Sequence, residues 1–264
     1  MRSCILASGS KGNCLFIESN TTRLLVDCGL TLKDAISRLS QINIDPSTIN
    51  GIVLTHEHSD HCKGVGMLAN KFNIPVYFYF DNFDKLNNAC KGVKDNLQRY
   101  FYLQSFMVGD IKVTPFELPH DSNKNLGYSF ETQDNKKISI ATDLGYMSND
   151  TLNHLKNSTI CYLESNHDEE VLMKNDNYSV ALKRRILSQV GHLCNKDCAK
   201  AIVELALNGT KQVVLCHLSE ENNTPMLAYS TVKQVLLEND IIEGTHIAVD
   251  VAMQNSIGTY FKLS

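Results

Sequence analysis

Seven consecutive residues, Thr55-His56-Glu57-His58-Ser59-Asp60-His61, hold three imidazoles and two carboxylates directly behind an apolar run. Gly51-Ile52-Val53-Leu54 reads as a short buried strand from its length and β-branched content. The cluster therefore sits at a strand's C-terminal end, where α/β proteins build their sites. His56 and His58, two apart in extended chain, point the same way and can grip one cation. Asp60 and His61 fall where the chain turns and can reach a second cation beside it. Neutral imidazole combined with carboxylate suits Zn²⁺, Mn²⁺ or Fe. A solvated His-rich loop is the plain alternative, and it is the usual account of a single histidine. The H-x-H-x-D-H spacing and its position behind a strand argue for ligation instead.

One loop cannot supply a two-cation centre. Three further ligand-type residues follow apolar strands: His120 after Phe116-Glu117-Leu118-Pro119, Asp143 after Ile138-Ser139-Ile140-Ala141-Thr142, and His217 after Val213-Val214-Leu215-Cys216. Strand ends can converge on one edge, so their shared placement counts for more than any one of them. Two cations about 3.5 to 4 Å apart lower the pKa of a water between them and stabilise charge on a phosphoryl oxygen. That chemistry is hydrolysis. Structural zinc prefers thiolates in closed four-ligand sites, unlike this larger set of imidazoles and carboxylates.

The elements needed to position these residues are legible in part. Strands are expected at 3–7, 14–18, 23–26, 75–79, 111–116, 127–132, 137–142, 160–164, 213–216 and 247–251. Helical spacing marks 31–40, with Thr31 as N-cap, and 65–72, 179–187, 196–207 and 225–238. The polar stretch 81–100 reads as one surface helix and a connection. The aromatic stripe Val76-Tyr77-Phe78-Tyr79 reads as core rather than as a base-stacking platform. With 264 residues, 43 % hydrophobic and 20 % charged, the chain can bury a large core, and no linker or composition break divides residues 1–264.

Nine cysteines without C-x-x-C pairs argue against a disulfide framework and for a reducing, cytoplasmic setting. Cys194 and Cys198 are expected to be buried or helix-face thiols. No stretch approaches the roughly 18 apolar residues of a membrane span, and the first residues carry too short an apolar run for a secretory leader. A net charge of −4 argues against coating nucleic acid by bulk electrostatics but leaves a nuclease open, since bound cations supply local positive charge. Nothing in the residues sets an oligomeric state.

The His cluster resembles the metal signature of the metallo-β-lactamase superfamily. That resemblance implies a single α/β domain, a four-layer αββα sandwich of two mixed β-sheets flanked by helices, with a two-metal hydrolytic site along one edge. Matched to the superfamily pattern, His56, His58 and His120 would hold one ion, Asp60, His61 and His217 the other, with Asp143 bridging. Asp27, at the end of Arg23–Val26, would lie behind the histidines and orient them; a turn or cap role is its plain alternative. The stretches Leu163–Asp168, Leu182–Ile186 with Gly191-His192-Leu193, and His217–Pro225, together with the loop Ser8–Asn13, resemble the WalJ (YycJ) subgroup, described as 5′-to-3′ double-stranded DNA exonucleases. Cys194 departs from the serine expected there and puts little in doubt. The interval from Asp143 to His217 is too short for a β-CASP insertion, and no tRNA-gripping arm is evident.

By similarity to tRNA 3′-processing relatives, Glu164 would orient His192, which would bond the scissile phosphate or protonate the leaving oxygen. Packing at a helix end is the alternative for His192. Asp60, Glu164 and His192 are thus the expected catalytic residues. Ser10, Asn13, Lys183, Arg185, Asn222 and Asn223 are candidate phosphate contacts, against plain turn or solvated-face roles. The expected activity is a metal-dependent DNA exonuclease. An RNA-directed nuclease, a thioesterase or lactonase using the same centre, and a non-catalytic metal-binding partner protein are the rivals.

Overall fold

A computed structural model describes residues 1–254 and 256–263. The first half lays down β1 (Arg2–Ala7), β2 (Cys14–Glu18), β3 (Arg23–Val26), β4 (Gly51–Val53), β5 (Val76–Tyr79) and β6 (Gln98–Phe101) in one sheet, in that order. Between them run the helices α1 (Leu32–Gln41), α2 (Ser59–Cys62), α3 (Val65–Phe72) and α4 (Phe83–Ala89). The second half contributes β7 (Phe106–Val108), β8 (Ile111–Leu118), β9 (Asn125–Glu131), β10 (Lys137–Ala141), β11 (Ile160–Glu164), β12 (Gln212–Cys216) and β13 (Ala248–Val251), again adjacent in chain order. Its helices are α5 (Asn149–Leu155), α6 (Glu169–Lys174), α7 (Val180–Ile186), α8 (Asn195–Leu207) and α9 (Pro225–Glu238). Finally β14 (Phe261–Lys262) returns antiparallel to the free edge of β1.

Both sheets begin antiparallel and finish parallel: β3 to β6 run together, as do β10 to β13. Parallel strands end at the same edge, and β8, two antiparallel steps from β10, ends there too. This topology brings the segments after β3, β4, β8, β10, β11 and β12 to one rim.

Alternating side chains explain the layers. In β3, Leu24 and Val26 face the other sheet, where they join Tyr128, Phe130, Ile140 and Tyr162, while Leu25 faces outward under Ala35 and Leu39 of α1. In β11, Ile160 and Tyr162 point between the sheets, and Cys161 and Leu163 point out to Ile202 of α8 and Val232 of α9. Both faces of each sheet are therefore apolar, and helices must cover the outer ones. The result is the expected αββα sandwich. Fully burying one such aliphatic side chain stabilises by about 1.5–3 kcal/mol.

Thr31 caps α1 by accepting from Asp34 N at 3.2 Å, and Thr224 caps α9 by accepting from Leu227 N at 3.1 Å with Pro225 in the first turn. The stretch 81–100 departs from the expected helix and connection. Helix α4 ends at Ala89, and residues 98–101 form the edge strand β6, whose exposed Arg99 and Tyr100 hide the alternation a half-buried strand would show. All nine cysteines are free and buried, and among the described residues no helix is long and apolar enough to cross a membrane.

Candidate metal centre and cleft

Three residues on the rim have left-handed backbones: Asp27 (φ 59°) after β3, Asp143 (φ 61°) after Thr142 beyond β10, and His217 (φ 54°) after β12. For a residue with a Cβ this conformation is strained by about 1–2 kcal/mol. At these three strand ends the surroundings dictate where the side chains go. The Asp27 carboxylate accepts from Thr55 N at 2.9 Å and Thr55 Oγ1 at 2.8 Å, and lies 2.7 Å from His61 Nδ1. Thr55 Oγ1 in turn lies 3.0 Å from His56 Nδ1. The turn α2, which carries Asp60 and His61, is stitched to β3's end by Cys28 N donating to His61 O at 2.9 Å. Gly29 permits that contact, because a Cβ there would fall 1.5 Å from the Asp60 carbonyl oxygen.

Several imidazoles are thus held from behind through Nδ1. His120 donates from Nδ1 to Gly191 O at 3.1 Å, and His217 Nδ1 lies 2.7 Å from Glu164 Oε1. Fixing Nδ1 leaves Nε2 as the free lone pair, the tautomer a metal requires. His61 Nε2 lies 3.1 Å from Asp143 Oδ2 and 3.4 Å from Asp60 Oδ2, and His217 Nε2 lies 3.7 Å from Asp60 Oδ2. His58 Nδ1 and His120 Nε2 face each other at 3.4 Å.

Donor atoms fall into overlapping groups lying within 4.8 Å of one another: His56, His58 and His120; Asp60, His61 and His217; His56, His61 and Asp143; and Asp143, Glu164, His192 and His217. His56 Nε2, His217 Nε2 and Asp143 Oδ2 are buried without a hydrogen-bond partner. An orphaned buried polar atom costs about 1–3 kcal/mol, so three at one point mark a place built for something else to satisfy them. Nitrogen and carboxylate donors of this number fit divalent cations.

The charges agree with that fit. Burial lowers the pKa of His56 and His120, keeping them neutral. Burial pushes His217 the same way, but Asp143, Asp60 and Glu164 reverse it and raise the pKa to about 10. His61 is likewise raised against its burial by Asp60, Asp143 and Asp27. Asp60, which burial would raise, is held well below the usual carboxylate range by His61 and His217. These carboxylates call for positive charge, and cation binding to such a set displaces protons.

A family model described as beta-lactamase superfamily domain matches residues 22–218. The chain belongs to that superfamily. Exodeoxyribonuclease YycJ of Bacillus anthracis is 38 % identical over 235 residues, covering 89 % of this chain and 88 % of that one. Exodeoxyribonuclease WalJ of Streptococcus pneumoniae serotype 2 is 38 % identical over 248 residues, covering 93 % and 91 %. The crystal structure of the metallo-beta-lactamase fold protein YhfI from Bacillus subtilis matches with a TM-score of 0.71 over 97 % of this chain and 98 % of that one. At 16 % identity it speaks for the fold alone.

In this superfamily member a cleft of ≈ 310 Å³ opens beside the cluster, lined by Asp60, Asp143, His192 and His217 among others. Glu164, fully buried at the end of β11, accepts from four sides: His192 Nδ1 at 2.9 Å, His217 Nδ1 at 2.7 Å, Leu144 N at 2.9 Å and Leu193 N at 3.1 Å. Burial would raise its pKa, but His192 and His217 bring it down to about 2. His192 has its pKa raised, because Glu164 outweighs burial. One carboxylate therefore orients both a rim histidine of the cluster and the cleft histidine.

The remaining candidates divide. Ser10 and Arg185 line the cleft, Arg185 with its guanidinium on Asp121. Asn13 is turned inward, its Nδ2 3.2 Å from Asp60 Oδ2 and 3.0 Å from His61 Nε2, so it braces the cluster. Lys183 donates to Met173 O at 2.7 Å. The phosphate role expected for Asn222 and Asn223 is corrected by their burial at 1 % and 6 % exposure. Asn222 Oδ1 accepts from Asn175, and Asn223 Nδ2 donates to Ser165 O, Asn166 O and Asn195 Oδ1, leaving neither amide free for a ligand. His167 is buried with neither ring nitrogen partnered, and burial lowers its pKa to about 4. Sequence reasoning gave no role to Thr55, Asp121 or Tyr178. Only Thr55, inside the motif, carried a signal.

Proposed function

We propose that this chain is a two-cation phosphodiesterase that removes nucleotides from the end of DNA, 5′ to 3′ on duplex substrates. His56, His58 and His120 would hold one cation and Asp60, His61 and His217 the other, with Asp143 placed between the two groups. The observation that carries the reading is two three-donor groups meeting at one carboxylate, with His56 Nε2, His217 Nε2 and Asp143 Oδ2 unpartnered. The choice of DNA is supported by the two exodeoxyribonuclease relatives.

Zn²⁺, Mn²⁺ or Fe²⁺ bound there would lower the pKa of water and draw charge from a phosphoryl oxygen. The rest is the work of the protein's own groups. Asp60 lines the cleft and accepts a hydrogen bond from the attacking water. His192, with Nδ1 engaged by Glu164, presents Nε2 to the cleft and protonates the leaving oxygen. Glu164 fixes that orientation, and Asp27 does the same for His61.

The test is to incubate purified protein and Mn²⁺ with 5′- and 3′-labelled single- and double-stranded DNA, RNA, and thioester and lactone substrates, beside Asp60→Ala. Nucleotides should leave the 5′ end of duplex DNA and the variant should release none. Turnover of thioester or lactone without nucleotide release would assign the chain to small-molecule hydrolysis, and RNA shortening alone would change the substrate.

A further inference from the structure

Facing the metal cluster across the cleft is a wall of different chemistry. Leu182 and Ile186, four apart in α7, share one helical face, and Tyr178 precedes the cap Ser179 on the same side. A helix of a globular protein normally buries such a face in the core. Here α7 has no buried residue, and none of these three side chains belongs to the three apolar layers of the sandwich. Among the described residues the Tyr178 phenol makes no hydrogen bond and its ring stacks on no other ring, and the side chain is half-buried. The helix is nevertheless fixed in place at its end: His192 N donates to Ile186 O at 3.0 Å, Asp121 N to Val190 O at 3.0 Å, and Arg185 pairs with Asp121. A half-buried apolar face outside the sandwich core is thus held against the cleft.

We infer that Tyr178, Leu182 and Ile186 form the base pocket for the terminal nucleotide of the DNA strand, with the Tyr178 ring stacking on a base that has left its complement. This rests on the phosphodiesterase reading above. A phosphodiester held at the cluster carries its nucleoside with it, and the opposite wall offers what a nucleobase lacks once unpaired, an apolar and aromatic surface. At ≈ 310 Å³ the cleft lies at the small end of ligand sites, about 300–1,000 Å³. A cleft of that size suits a single nucleotide, so in this reading a duplex end frays before its last phosphodiester reaches the cluster, as for other enzymes that draw a base out of its stack. The wall is what makes the site select a strand terminus.

Two measurements test this with the Mn²⁺-loaded full chain. In the wild-type protein, single-turnover rates on otherwise identical duplexes should rise from a terminal G·C through a terminal A·T to a terminal mismatch; rates independent of end pairing would overturn the inference. Separately, Tyr178→Ala should lower kcat/KM on base-bearing ends by about 5–150-fold, the worth of one stacked base. That loss should fall mainly in KM, with cation content unchanged, and Tyr178→Phe should recover most of it. On a duplex whose terminal nucleotide is abasic, the advantage of wild type over Tyr178→Ala should disappear. An equal loss on abasic ends would make Tyr178 merely structural, and no loss on base-bearing ends would remove it from the pocket. Should the wild-type protein cut no DNA end at all, the phosphodiesterase reading itself fails and the pocket falls with it.

Discussion

On one side of the cleft His56, His61, Asp143 and His217 are 0–3 % exposed, and their rings or backbones are tied down by Thr55, Asp27, Asn125 and Glu164. On the other, Tyr178, Leu182 and Ile186 stand on a seven-residue helix with no buried residue. The first wall is over-determined. Strained backbones, buried carboxylates and orphaned lone pairs persist there because neighbouring elements leave no alternative. The second wall is half-buried but lies outside the sandwich core, so it can change identity with little effect on the sandwich. Chemistry and recognition should therefore be separable by mutation, with stability and cation content following the first wall and substrate preference the second.

The severest challenge to this division is Asp143→Ala. It removes the carboxylate shared by both donor groups, and should lower turnover by about 10³-fold or more while cation content, read by atomic emission, falls. Full activity with both cations retained would break the comparison at its centre. The same logic extends to stability. A cation at 100 times its Kd stabilises the folded state by about 2.7 kcal/mol, so EDTA should lower Tm, and Mn²⁺ should restore it. Next in size is His192→Ala, which should cost about 10²-fold or more in kcat with cation content unchanged, because the His192 Nδ1 is already engaged by Glu164. Loss of cation in that variant would move His192 to the first wall as a ligand.

A leucine pair sharpens the contrast in stability alone. Leu163 of β11 is fully buried in the outer layer beneath α8 and α9, and Leu163→Ala should cost about 2–5 kcal/mol in denaturant unfolding. Leu182→Ala, at a half-buried position outside the core, should cost less, about 1 kcal/mol or under. Equal losses would show that α7 is part of the core.

The two walls also differ in how readable they were. Ligand-type residues at strand ends could be read because imidazoles and carboxylates rarely follow apolar runs so closely, and the sandwich followed from resemblance to a known metal signature. The elements that escaped are those without periodicity: β6 and β7 are sheet edges with exposed side chains, and α5 and α6 are too short for a helical stripe. Asn13, Asn222 and Asn223 show a second limit. Their amides suit phosphate as well as they suit backbone, and only the fold reveals that they are consumed internally. Tyr178 shows a third, since it sits in the polar run Lys174-Asn175-Asp176-Asn177, where an isolated aromatic carries no pattern.

The smallest expected effect lies on the outer surface of α7. Of its three consecutive basic residues, Lys183 is engaged by the Met173 carbonyl and Arg185 by Asp121, while Arg184 is exposed and has no partner among the described residues. A basic group with no internal partner is free to meet a phosphate of the duplex beyond the cleft. Arg184→Glu should then leave kcat on saturating DNA unchanged, weaken binding, and flatten the dependence of log K on log salt by about one unit. Lys183→Glu should do less, because its ammonium must first leave the carbonyl it already serves. If the two reversals flatten the slope equally, the helix acts as a diffuse positive surface and the distinction between engaged and free charges on this wall disappears.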